Sequence, residues 1–192
     1  MIDNIRPNRN EIEFLNLAYN KFYDLYKEVK EDSFWEQNSF YRFSKIKDAF
    51  AIYTELLNYP PITWVLEEMK TSRPPMESVI AKDLFKFIRN VFAHFPFYDS
   101  WDEAWIDKYI VNWNKPGQRI DKFLKKYSGK PEIKYRMWDS INREMTYLSI
   151  NFPPNYENGE KTFIKDILTE KNGIIFSFTM MKQVIDTQII KE

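Results

Sequence analysis

The chain reads as all-α, an antiparallel helical bundle with additional C-terminal helices, and three observations point there. Only four glycines occur in 192 residues, too few for a turn-rich β protein. The ten prolines fall between apolar stretches, as at Pro60-Pro61, Arg73-Pro74-Pro75 and Phe152-Pro153-Pro154, and so read as helix breaks. Within the stretches, apolar residues return at alternating spacings of three and four, the signature of one helix face.

Ile12, Leu15, Tyr19, Phe22, Tyr26 and Val29 make a single stripe between Asn10 and Lys30. Phe43, Ile46, Phe50, Tyr53 and Leu57 repeat it in a second helix that stops near Pro60-Pro61. A short helix is expected from Ile62 to Lys70, then a third long helix from Met76 to Phe95, where Pro96 disfavours helical geometry in the residue before it. Asp99-Ser100-Trp101-Asp102-Glu103 reads as a further helix start, with carboxylates facing the positive helix end. Asn112 to Gly117 is expected as a loop, Arg119 to Tyr127 as a short basic helix, and Pro131 to Ile150 as a longer helix. Another helix is expected near Lys161–Glu170. Ile174-Ile175-Phe176-Ser177-Phe178 has strand character, but with no β partner elsewhere the segment Gly173 to Ile190 is expected to be helical. No internal repeat is visible. The chain reads as one helical domain, a core bundle over about residues 8–112 with a C-terminal helical part over about 118–192.

Composition narrows the function. A chain that is 44% hydrophobic and 18% aromatic fills a core and is not a disordered tail. Its 28 basic and 28 acidic residues cancel, unlike a strongly basic nucleic-acid binder, although local patches remain open to it. The absence of cysteine removes disulfides, thiol nucleophiles and thiolate metal sites. One histidine cannot build a histidine-rich metal cage within one chain. No metal and no cofactor is therefore expected. The segment Met1 to Glu11 is polar, and no apolar run is long enough to span a membrane, so a cytoplasmic location without membrane contact is the expectation. The sequence holds no Gly-rich phosphate loop, Gly-x-Ser-x-Gly elbow or His-Glu-x-x-His helix.

That single histidine, His94, stands five residues after Arg89 in the run Ile88-Arg89-Asn90-Val91-Phe92-Ala93-His94. Imidazole takes and gives protons near neutrality, and a guanidinium beside it is a permanent cation shaped for phosphate. On the third helix Leu84, Phe87, Val91 and Phe95 line one side, and Phe85, Ile88 and Phe92 another, so the helix is expected near the centre of the bundle. Lys86, Asn90 and His94 advance by about 40° each, and Arg89 lies across Ala93 from His94, which gathers the polar residues into one strip. The last helical turn favours protonated His94 through the helix dipole, while burial opposes it.

Arg89-Asn90 followed by His94, near the end of a buried helix in a helical protein, resembles the HEPN superfamily (higher eukaryotes and prokaryotes nucleotide-binding). The signature of that family is an arginine, a short spacer and a histidine, often with a polar residue directly after the arginine. The resemblance implies a homodimer that cleaves RNA without metal, in toxin–antitoxin or other defence systems. An antitoxin or other protein partner belongs to that setting. Other family members are inactive modules that bind nucleotide, RNA or protein. A tyrosine two residues after the histidine, present in one toxin subfamily, is replaced here by Pro96. The chemistry points the same way: cleavage by the 2′-hydroxyl needs a base, an acid and a cation for the phosphate. One chain supplies one imidazole, and a two-fold dimer supplies two. The expected roles are general acid/base for His94, phosphate clamp for Arg89 and orienting partner for Asn90. A helical scaffold in which Arg89 and His94 are structural is the plain alternative.

Three further groups stand out. From Arg119 to Arg136, Lys122, Lys125, Lys126, Lys130 and Lys134 outnumber Asp121 and Glu132 and alternate with Phe123, Tyr127 and Tyr135. Together with Lys86, Lys122, Lys125, Lys126 and Lys130 form a candidate RNA contact, with the alternative of a solvated helix over buried aromatics. Asp99, Asp102, Glu103 and Asp107 have the spacing to share a cation, yet acidic residues in a first helical turn need none. Trp101, Trp105, Trp113 and Trp138 serve either stacking on bases or packing.

Overall fold

The computed structural model describes residues 8–60, 75–95, 97–114, 119–130, 132–139, 143–157 and 159–186. The first stripe forms α1 (Arg9–Lys30), opened by a capping box in which Asn8 and Glu11 exchange hydrogen bonds of 2.7 and 3.0 Å. Its buried face is Leu15, Phe22, Leu25 and Val29, while Ile12 is exposed. After a single turn, α2 (Asp32–Trp35), Asn38 caps α3 (Ser39–Leu56) by accepting from the Tyr41 amide. This helix buries Phe43, Ile46, Phe50, Tyr53 and Leu56. The helix expected at Ile62–Lys70 lies outside the described residues. The third long helix is α4 (Pro75–His94), and every apolar residue expected on its two greasy sides is buried.

Beyond α4 the expectations diverge from the structure. Asp99 to Glu103 does not start a helix: Ser100 accepts the Glu103 amide in a turn, and the chain enters strand β1 (Trp105–Ile106). The helix begins only at α5 (Lys108–Asn114), where Asp107 accepts from the Tyr109 and Ile110 amides. Asn112, expected in a loop, is therefore helical. The basic helix α6 (Arg119–Tyr127) is as expected, and Gly129 closes its end with φ +73°, where a side chain would be strained.

The segment from Pro131 to Ile150 is not a helix. It is an antiparallel hairpin of β2 (Ile133–Asp139) and β3 (Glu144–Ile150), with Tyr135 opposite Leu148 on the buried face and Arg136 opposite Tyr147 on the outer one. The alternation of buried and exposed residues is the period-two pattern of a half-buried strand. Near Lys161–Glu170 the chain forms β4 (Thr162–Phe163), which pairs with β1, and a single turn α7 (Ile164–Ile167). Finally α8 (Glu170–Asp186) covers the segment expected to be helical as far as Asp186, and residues 187–190 of that expectation lie outside the described residues. The chain is thus mostly helical, and the described residues hold two small two-stranded sheets where an all-α bundle is expected.

The core sits around α4, which packs against α3, α6, α8 and β2. Phe92 stacks on Phe50 with ring centroids 4.9 Å apart and meets Phe43 at 4.8 Å. On the other flank Phe87 stacks on Phe123 of α6 at 4.7 Å. Tyr135 of the hairpin meets Phe176 of α8 edge to face. A half-buried ion pair, Arg42–Glu170 at 2.7 Å, ties α3 to α8. Among the described residues no helix is long and apolar enough to cross a membrane.

Candidate functional site

The side of α4 left uncovered by this packing is narrow and polar. At about 100° per residue, Val79, Lys82, Lys86 and Ala93 fall on one line along the helix. Val79 and Ala93 are exposed and the two lysines half-buried, so this line faces outward. Arg89 stands on the shoulder toward Phe85 and Phe92, the rings that meet α3. Asn90 and His94 stand on the opposite shoulder, with Asp83 and Phe87, which meet α6.

Arg89 and His94 are half-buried, while Asn90 is buried at 5% exposure. The Arg89 Nη2 donates to Asn90 Oδ1 at 3.4 Å, a long bond. Arg89 also lies near the phenol of Tyr53 on α3. Burial pushes the Tyr53 hydroxyl well above the usual tyrosine range and outweighs the opposing pull of the Arg89 cation. Tyr53 therefore stays neutral beside Arg89. The helix ends at His94, and the Phe95 amide makes the last bond of the ladder to the Val91 carbonyl. The three expected residues occupy one end of one helix, around an exposed alanine.

The lysines divide into two sets. Lys86 of α4 and Lys122 and Lys126 of α6 come together in a cleft of about 330 Å³, joined by Lys82 and Asp83, with Phe123 in its wall. Lys126 bonds Asp83 at 2.7 Å, and Tyr127 donates to the same carboxylate oxygen at 3.2 Å. The bond to Asp83 holds the Lys126 ammonium above the usual lysine range, so it is charged at neutral pH. Lys125 and Lys130 are exposed and do not line this cleft. Lys130 lies over the Tyr127 ring at 5.2 Å.

Phe123, Tyr127 and Tyr135 are buried and pack in the core, so the basic run carries no stack of bases on these rings. Trp101 is likewise internal, its indole donating to the Leu168 carbonyl at 2.9 Å. Trp105 is half-buried under Lys161 at 4.4 Å, and Trp138 is exposed on the hairpin. The side chain of Trp113 lies outside the described residues. Asp107 serves as the cap of α5, and the described residues hold no group of three metal-ligating side chains.

Sequence reasoning missed Lys82 and Asp83. Projecting the strip one further turn toward the start of α4 adds Lys82 directly. Asp83 carried no signal, because its partner Lys126 comes from another helix. Comparison with protein-family models, curated proteins and solved structures finds no match for the chain.

Proposed function

We propose that the chain is a HEPN-like endoribonuclease whose homodimer cuts RNA by attack of a 2′-hydroxyl on the adjacent phosphorus. One observation carries this: near the end of a helix whose large apolar side chains from Leu84 to Phe92 are buried, Ala93 is exposed between a half-buried arginine and the single histidine. A phosphate resting on Ala93 has a guanidinium on one flank and an imidazole on the other. Neutral His94 of one protomer takes the 2′-hydroxyl proton, and the 2′ oxygen forms its bond to phosphorus. The bond to the 5′ oxygen breaks, and protonated His94 of the second protomer gives that oxygen a proton. Arg89 offsets the charge that grows on the phosphoryl oxygens. Asn90 keeps the guanidinium aimed. No step requires a metal ion or cofactor, and prokaryotic defence or toxin activity is the setting that the motif suggests.

The test is cleavage of a labelled RNA in excess chelator. The expected products carry 2′,3′-cyclic phosphate and 5′-hydroxyl ends, and His94→Ala lowers the rate by about 10²–10⁴. Equal cleavage by His94→Ala sinks the assignment. Binding of RNA without cleavage by the parent places the chain with the non-catalytic binding modules.

A further inference from the structure

We propose that the cleft between α4 and α6 holds the phosphate backbone of a single RNA strand leading to the Arg89–His94 face; this rests on the ribonuclease reading. The cleft has two walls of matching design. Lys82 and Lys86 stand four residues apart on α4, and Lys122 and Lys126 stand four apart on α6, all four lining the same space. A spacing of four residues rises about 6 Å along a helix, so each wall carries two ammonium groups in file. Among the described residues the lining holds one carboxylate, Asp83, which Lys126 and Tyr127 engage. Four lysines to one carboxylate among these residues make the lining predominantly basic in a chain of zero net charge.

A linear polyanion is the ligand that such files of charge select. Lysines act as point charges without a fixed fork, which suits phosphates met in sequence along a strand. The wall between the lysines is the ring of Phe123, which itself stacks on Phe87 and packs against Phe152. A volume of about 330 Å³ lies at the low end of ligand pockets. Lys86 then precedes Arg89 and Asn90 by a single helical turn, so a strand seated in the cleft continues onto the catalytic face.

The measurement is fluorescence anisotropy of a short 2′-O-methyl RNA, which lacks the attacking hydroxyl, with the full chain across a salt series. The double variant Lys82→Gln/Lys122→Gln takes one charge from each wall. It is expected to weaken binding and to lower the slope of log affinity against log salt by about 1.4, from about 0.7 for each lost phosphate contact. Lys125→Gln/Lys130→Gln makes the same change in net charge outside the cleft and is expected to leave the slope within error. An unchanged slope for the cleft variant, or an equal fall for the outside pair, overturns the proposal. ATP or polyglutamate binding as tightly as the RNA overturns the strand assignment. If the parent cleaves RNA while the cleft variant binds normally, the cleft fails alone. If the parent never cleaves but the cleft variant loses its slope, the catalytic reading fails and the cleft stands.

Discussion

The two ends of the polar strip on α4 use opposite strategies. Toward its start, Lys82 and Lys86 share a cleft with two lysines from α6, so charge is repeated and no single group is unique. Toward its end, one arginine, one buried asparagine and the single histidine of the chain stand around an exposed alanine, and nothing is repeated. On the proposed function the first arrangement is a field, expected to attract a polyanion and to tolerate loss of a member. The second is a constellation, expected to fail when any member is lost. Both are held by the same apolar side of the same helix, so their effects are separable by substitution.

Breaking the shared support comes first. Phe92→Ala removes a ring packed on Phe50, Phe43 and Trp101 and is expected to cost about 3–5 kcal/mol in urea unfolding. Binding and cleavage fall together in that variant. Arg89→Lys keeps the charge but loses the fork. Cleavage at saturating RNA is expected to drop about 10²-fold while RNA affinity changes little. A lysine that cleaves as fast as the arginine would reduce the constellation to a field. Lys82→Gln is the smallest change: a slope lower by about 0.7 in the salt series, with the rate at saturating RNA unchanged. A large loss of rate in that variant would erase the distinction between the two ends.

The legibility of these regions differs for physical reasons. All of α4 follows from local pattern, because Leu84, Phe87, Val91 and Phe95 repeat at helical spacing and Pro96 marks the stop. The polar strip follows by projection from the same pattern. The hairpin is hidden in the sequence although Ile133-Lys134-Tyr135-Arg136-Met137 alternates at period two. The basic residues continue the charge run of α6, and alternation gains meaning only with a partner strand, which lies within the same expected helix. The pairing of β1 with β4 joins segments far apart in the chain, each only two residues long. Such short strands carry no period, and tertiary contacts decide them. At the site, Arg89, Asn90 and His94 were visible because one helix carries all three. The cleft was only half visible, since α6 supplies one wall and no local pattern sets two helices side by side.

The central claim is that His94 of one protomer is half of an acid–base pair, completed across a two-fold axis. Parent and His94→Ala protomers, mixed and exchanged at varied ratios with total protein constant, test it most directly. RNA cleavage is expected to follow the square of the parent fraction, about one quarter of full activity at equal mixing, because only dimers with two histidines are competent. A linear fall to half, with each protomer working alone, would contradict it.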